Sequence, residues 1–239
     1  MRTLRFVCRE RDHRCRAHRD LPRRHRVLLR DGAGVMTAVL GVDPSLTTSG
    51  CALVKFGGAA DAWGPTWETW RGIGVKPDVE STATSFRRMR QMLTEILAFV
   101  PPRLDLSVVE GPSMGSKHAA LADERAGLRW LLVSQLIARG PVVLVSPNTR
   151  QALSGVGPIP RGTTPRKRKQ MVTEAVRAML PDVRVPDDNV ADAVAMAAAG
   201  GYALGLDLPY GAKQISAHAN VAWPVDTAAS VRSGMEQDR

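Results

Sequence analysis

The feature that most constrains the fold is an alternation, between residues 37 and 204, of short apolar runs with longer segments of helical periodicity. The first two apolar runs, 38–42 and 51–54, flank a turn-rich segment, which predicts two strands joined by a loop. A third strand is expected near Thr66–Arg71. An amphipathic helix is then expected from Ser81 to Phe99, because its apolar side chains recur at three-to-four spacing.

The remainder of this pattern alternates strands with helices. Buried strands are predicted at residues 106–109 and 142–145, which are short runs rich in Val and Leu. A loop rich in Gly and Pro is predicted at 154–166. Helices are predicted at 117–139, 147–153, 167–180 and 188–204. This order predicts one α/β domain whose first three strands are antiparallel and whose later strands alternate with helices.

The basic charge is concentrated near the N-terminus. Residues 1–35 hold 11 of the 33 Lys and Arg and 4 of the 23 Asp and Glu, so they carry +7 of the net charge of +10, and the remainder carries +3. Such a charge indicates a polyanionic partner, either nucleic acid or an anionic membrane surface. Residues 1–35 are interpreted either as a disordered basic arm or as an upstream stretch translated from a mis-chosen start. We favour the second interpretation, with Met36 as the natural first residue.

The sequence therefore divides into three parts. These are a basic extension over residues 1–35, a folded domain over 36–206, and a tail over 207–239, where periodicity is lost. The sequence has no run of about 18 apolar residues and no apolar signal segment, so neither a membrane span nor secretion is expected. Three cysteines do not make a disulfide framework. A cytoplasmic protein with no membrane partner is expected.

Three acidic residues occupy equivalent places in the predicted fold. Asp43 follows the first strand, Glu110 follows a later strand, and Asp192 lies in the last helix. Strand ends are where sites form in α/β sheets. Asp188 shares a helix face with Asp192, and Asn189 lies three residues before it. Clustered carboxylates repel one another unless a divalent cation neutralises them, and oxygen ligands select Mg²⁺ or Mn²⁺ over zinc. Two such ions about 4 Å apart clamp the attacking and leaving oxygens of a phosphodiester.

Each acid also has a structural interpretation. Asp43 before Pro44 fits a turn, Glu110 fits a solvated strand end, and Asp187 with Asp188 fits an N-cap pair. Taken together these interpretations are weaker. Asp43 and Glu110 both directly follow a buried strand with β-branched residues, which is an unusual place for a merely structural acid.

Four motifs, in this order and spacing, resemble RuvC-type Holliday-junction resolvases, which are members of the RNase H-like nuclease superfamily. The first motif is GVDPSLTTSG at residues 41–50, and the second is Val-Val-Glu at 108–110. The third motif has three parts: RQAL, which begins at Arg150, a Gly-rich loop, and the helix that contains Lys169. The closing motif is NVADA at residues 189–193.

The resemblance covers about residues 38–204 and implies an RNase H-like α/β fold, a five-stranded mixed sheet flanked by helices. It implies a homodimer, from a bacterium or a phage, that binds a four-way DNA junction and cuts it by paired, Mg²⁺-dependent nicks. Mn²⁺ is the alternative ion. By position, Asp43, Glu110 and Asp192 would hold two metal ions. Lys169 would stabilise charge near the scissile phosphate.

The chain departs from the family at two positions. Asn189 stands where the family has an acid or a His, so that ligand is either a neutral carbonyl oxygen or Asp188 instead. Ser113, with Met114 beside it, stands where the family often has an aromatic residue that stacks on a junction base. These two residues are the expected DNA contacts at that position.

Basic residues near the predicted site are also expected to contact DNA. Arg150 matches an earlier functional basic position of the family, and Lys117 begins the long predicted helix. A dense basic run leads into the helix of Lys169, and it adjoins the proposed carboxylates, which favours contact with phosphates. Its members are Arg161, Arg166, Lys167, Arg168 and Lys169.

Two other functions stay open from the sequence. Residues 41–50 also resemble the first phosphate loop of actin-like sugar kinases and ATPases, although a second Gly-rich phosphate loop is missing from the sequence. The amide at Asn189 is also compatible with a branched-DNA binding protein that no longer cleaves.

Overall fold

The central element is a five-stranded mixed sheet. The protein is described by a computed structural model over residues 36–58, 64–76, 81–112 and 121–224. The strands are β1 (Thr37–Asp43), β2 (Thr48–Phe56), β3 (Thr66–Ile73), β4 (Leu106–Glu110) and β5 (Val142–Val145). Their order across the sheet is β3-β2-β1-β4-β5. The first three strands are antiparallel neighbours, whereas β4 pairs in parallel with both β1 and β5.

Six helices connect and cover these strands in the described part of the chain. They are α1 (Thr82–Leu97), α2 (Ala122–Ile137), α3 (Pro147–Leu153), α4 (Pro165–Met179), α5 (Asp188–Ala203) and α6 (Ala212–Ala219). Four of them begin at a polar N-cap whose side chain accepts a backbone N–H of the first turn, which fixes where the helix starts. These caps are Ser81, Ser146, Thr164 and Asp187.

The sheet carries a hydrophobic core on each face. Alternate residues of a strand point to opposite faces, so Val39 and Val108 pack with α5 while Leu40 and Val109 pack with α1 and α2. α5 is buried nearly throughout, and its run of small residues lets it lie close to the strands. The five-stranded mixed sheet flanked by helices confirms the fold class expected from the sequence.

The structure differs from the predicted tail after Asp207. α6 packs against α3, and Gln214 Nε2 donates a hydrogen bond of 3.0 Å to the carbonyl of Leu153. The buried ring of His218 stacks on Trp223 with ring centroids 4.6 Å apart. The prediction of a tail is therefore wrong for residues 207–224, because polar and aromatic contacts, rather than a periodic apolar face, hold this segment in place.

Other predicted features fall outside the described residues. The extension 1–35 and residues 225–239 are among them, as is the predicted start of the long helix at Lys117. The described part of that helix begins at Ala122. Within the described ranges, none of the helices has the length and apolar character needed to cross a membrane.

Candidate active site

Two of the predicted acids, Asp43 and Glu110, are the last residues of neighbouring strands. β1 and β4 are adjacent and parallel, with Val42 opposite Val109, so Asp43 and Glu110 lie at the same edge of the sheet. Strand alternation directs both side chains toward the face that α5 covers. The carboxyl ends of two central parallel strands thus present two carboxylates to one helix.

Two glycines allow α5 to lie directly against this part of the sheet. A Cβ atom at Gly41 would overlap the backbone carbonyl of Ala193, and one at Gly50 would overlap the carbonyl of Asn189. Only a residue without a side chain fits such a contact between backbones. The close approach brings the first two turns of α5, and Asp192 with them, to the acids of β1 and β4.

The three carboxylates form a compact cluster, with one ligand oxygen each from Asp43, Glu110 and Asp192 lying within 4.8 Å of one another. Burial raises the pKa of Asp43 well above its ordinary value, and repulsion by the other two acids raises it further. Burial also raises the pKa of Asp192 to about 7, although Arg150 opposes the shift. A cation bound to the cluster would favour the ionised carboxylates and lower both pKa values.

Arg150 supplies one cation within this cluster. It lies on α3, which is capped by Ser146 directly after β5 and therefore starts at the same sheet edge. Arg150 Nε lies 3.3 Å from Glu110 Oε2, and its Nη1 forms an ion pair with Asp192 Oδ1. Burial lowers the pKa of Arg150, but the surrounding carboxylates outweigh burial and raise the pKa above its ordinary value.

Lys169 lies at the exposed rim of the cluster and pairs with Asp188. Its Nζ is 2.5 Å from Asp188 Oδ2, and the lysine side chain is 63% exposed. This hydrogen bond is the main cause of the raised pKa of Lys169. Of the two expected candidates for a further metal ligand, Asp188 is therefore engaged by a lysine. The other, Asn189, is half-buried and packs its backbone carbonyl against Gly50.

The donor set of the cluster fits a hard divalent cation. Its three carboxylates offer only oxygen ligands, which suit Mg²⁺ and Mn²⁺. Two oxygens that each lie about 2.0–2.6 Å from one ion are separated by at most about 5 Å, and the spacing within 4.8 Å meets that condition. Across the described ranges, no other three acidic, His or Cys side chains lie close enough to share an ion.

The predicted basic run is exposed at the start of α4. Arg166 and Lys169 line a cleft together with Arg177 and Asp188, beside the first turn of α5. The exposed members of the run are Arg161, Arg166, Lys167, Arg168 and Lys169. Three further residues predicted to contact DNA, Ser113, Met114 and Lys117, lie outside the described residues.

The sequence does not predict the ion pairs that two arginines, Arg150 and Arg71, make in the structure. Arg150 is predicted to contact DNA, yet its guanidinium contacts Glu110 and Asp192. Arg71 Nη1 lies 3.2 Å from Asp187 Oδ2, which ties the N-cap of α5 to strand β3. The position of Arg150, one turn into a capped helix after the last strand, is a signal for placement at the sheet edge. No sequence pattern indicates the pairing of Arg71.

Fold and site together define an α/β protein with a carboxylate cluster at the carboxyl ends of two central parallel strands. No protein-family model and no curated protein matches the chain. Among solved structures, the chain is similar to three that represent two proteins, one from Thermus thermophilus and one from yeast.

The first of these structures is Thermus thermophilus RuvC in complex with a Holliday junction substrate. It is 18% identical, has a TM-score of 0.48, and the match covers 73% of this chain and 99% of that one. A second Thermus thermophilus RuvC structure is 20% identical with a TM-score of 0.44, covering 73% and 100%. The yeast mitochondrial Holliday junction resolvase Ydc2 is 13% identical with a TM-score of 0.40, covering 80% and 84%.

Proposed function

We propose that the chain is a Mg²⁺-dependent endonuclease that resolves four-way junctions, or related branched DNA, by paired nicks. The observation that carries this proposal is the cluster of Asp43, Glu110 and Asp192, whose ligand oxygens lie within 4.8 Å of one another. Two basic residues, Arg150 and Lys169, lie at the same sheet edge. The substrate class rests on the resemblance of the four sequence motifs to RuvC-type resolvases.

The carboxylates of Asp43, Glu110 and Asp192 would hold the metal ions. Divalent ions bound there would supply activation of water for attack on phosphorus and neutralisation of the leaving 3′ oxygen. Lys169, at the exposed rim, stabilises negative charge on the scissile phosphate. Asp188 positions the ammonium group of Lys169 through their hydrogen bond, rather than serving as a metal ligand.

The exposed basic run holds the DNA strand across the site. Arg161, Arg166, Lys167 and Arg168 bind phosphates, and such contacts set the register of the DNA without reading its sequence. A homodimer places two active sites on one junction, which paired nicks require. The proposed nuclease domain begins at residue 36 and includes α6.

A cleavage assay on a synthetic four-way junction tests this function. Each strand is labelled in turn, and the protein is incubated with Mg²⁺, with Mn²⁺ or with EDTA, with linear duplex of the same sequence as the control. We expect symmetrical nicks in two strands of the junction, only with a divalent ion, leaving 5′-phosphate and 3′-hydroxyl ends that DNA ligase reseals. Equal cutting of the linear duplex, or an uncut junction with both ions, would contradict the proposal.

A second candidate, a branched-DNA binding protein without cleavage, is favoured by the guanidinium of Arg150 among the carboxylates. The same experiment separates the two functions when junction binding is followed by gel shift in parallel. Tight, structure-selective binding with no nick in either metal would assign the chain to the second candidate.

A further inference from the structure

The contacts of Arg150 are not those of a residue that serves only to bind phosphate. Its guanidinium faces Glu110 and Asp192, and its side chain is 17% exposed, close to the 15% and 11% of these two acids. By contrast, Arg161 and Arg168 present their side chains at the surface. Arg150 is thus built into the carboxylate cluster.

We propose that Arg150 is the resident counter-ion of the cluster, competing with divalent cations for Glu110 and Asp192 and thereby setting the metal affinity of the site. The inference rests on the proposed metal centre. The guanidinium and a metal ion would bind the same carboxylate oxygens. Because binding of one weakens binding of the other, the coupling between them is reciprocal.

Arginine is suited to this role because its planar guanidinium stays charged and can engage two carboxylates at once. Without it, the cluster would hold buried carboxylates with little compensation, a state that is strongly destabilising. Arg150 therefore stabilises the protein when metal is absent. A second consequence is that metal ions bind less tightly than three carboxylates alone would allow.

The backbone that carries Arg150 is fixed at both ends of its helix. Ser146 caps the start of α3 by accepting the N–H of Thr149. At the other end, Leu153 is fully buried and its carbonyl accepts a hydrogen bond from Gln214. A change in the ion pairs of Arg150 is therefore confined to its side chain.

Metal titration of the full chain, without DNA, tests this role. Arg150→Gln removes the counter-ion, and Arg150→Lys keeps the charge but cannot bridge two carboxylates. Lys55→Gln is the matched control, because it removes one positive charge from an ion pair with Glu68. Lys55 lies opposite Ala38, at the end of β2 that is far from Asp43. Mn²⁺ affinity is measured by isothermal titration calorimetry after chelator treatment, and the melting temperature is measured in EDTA.

We expect Arg150→Gln to bind Mn²⁺ roughly tenfold more tightly than the wild type. We expect its melting temperature in EDTA to fall by at least about 4 °C. The Mn²⁺ affinity and the melting temperature of Arg150→Lys should lie between those of the wild type and Arg150→Gln. If Arg150→Gln does not fold, Arg150→Lys is compared with the wild type alone. Lys55→Gln should leave the Mn²⁺ affinity at the wild-type value.

Two results would overturn the inference, and they are distinguishable. If the wild type binds Mn²⁺ and Arg150→Gln binds it equally or more weakly, the counter-ion role is refuted while the metal centre stands. If neither protein binds Mn²⁺, the metal centre itself is refuted, and the proposed cleavage function with it.

Discussion

At the residue scale, Asp192 makes the stability of the metal-free protein depend on pH. Its pKa is about 7 in the folded protein against an ordinary value of 3.8, so the folded state binds the proton more tightly than the unfolded state. The stabilisation is fully present below about pH 4 and is lost as pH rises through 7. The raised pKa of Asp43 also makes the folded protein more stable at low pH.

We therefore expect the free energy of unfolding in EDTA to fall as pH rises from 4 to 7, by at most about 1.4 kcal/mol per pH unit for each such group. Urea denaturation across this range measures it. The free energy of unfolding of Asp192→Asn should depend less steeply on pH than that of the wild type. An unchanged pH dependence in the variant would mean that Asp192 is not the titrating group.

Substitution of Asp188 separates its two candidate roles, which are to position Lys169 and to bind the metal ion. If it positions Lys169, Asp188→Asn should lower the rate of junction cleavage by about tenfold and leave Mn²⁺ affinity unchanged. If Asp188 is a metal ligand, Mn²⁺ affinity should fall together with the rate. The matched control is Asp182→Asn, which removes an exposed carboxylate.

The three clustered acids could be placed from sequence, but the contacts of Arg150 could not. Asp43 and Glu110 each follow a recognisable buried strand, and parallel neighbours end at one sheet edge, so their proximity follows from local patterns. Arg150 meets its partners only through the packing of α3 against distant elements. Local periodicity carries no information on which way such a side chain turns.

At the element scale, the site depends on how closely α5 approaches the sheet. Gly41→Ala would force a methyl group against the backbone of Ala193, which cannot move independently of α5. We expect a loss of about 1–3 kcal/mol in the free energy of unfolding. We also expect a loss of Mn²⁺ affinity, since Asp192 moves with the helix.

Gly157→Ala is the matched control for this variant, because a Cβ there meets nothing within 4 Å. Chemical denaturation and calorimetry should find the control unchanged in both properties. If Gly41→Ala kept wild-type stability and metal affinity, the close packing of α5 would not be what positions Asp192.

The elements themselves were largely predictable, and α6 is the exception for a physical reason. The strands and the other helices carry clear periodicity or caps, as at Ser81 and Ser146. α6 is only eight residues long, and its buried residues, Gln214 and His218, are polar. An apolar stripe is therefore missing, and the helix is held by contacts with α3 and α5 that only the tertiary structure reveals.

At the scale of the whole molecule, the location of charge matters more than its total. Neutralising Arg166, Lys167 and Arg168 to Gln should weaken junction binding. It should also reduce the magnitude of the slope of log K against log salt by about 3, because each phosphate that the protein no longer neutralises lowers it by roughly 0.9. Junction affinity measured at several salt concentrations gives this slope.

The matched control removes three exposed arginines that lie away from the site. Arg87 and Arg90 are on α1, across the sheet from α5, and Arg103 precedes β4 at the opposite edge from Glu110. Both triple variants have the same net charge. An equal reduction of the slope in both would mean that overall charge, and not the basic run, binds the DNA.

The proposed metal-dependent cleavage is tested most directly by measuring cleavage and binding of a four-way junction by Asp43→Asn in Mg²⁺, beside Asp182→Asn. We expect Asp43→Asn to lose at least about a hundredfold in cleavage rate, because a metal-holding carboxylate is gone, while its junction affinity stays at the wild-type value. Asp182→Asn should match the wild type in both. Full activity of Asp43→Asn in Mg²⁺, or loss of junction binding together with cleavage, would contradict the role of Asp43 as a metal-holding carboxylate.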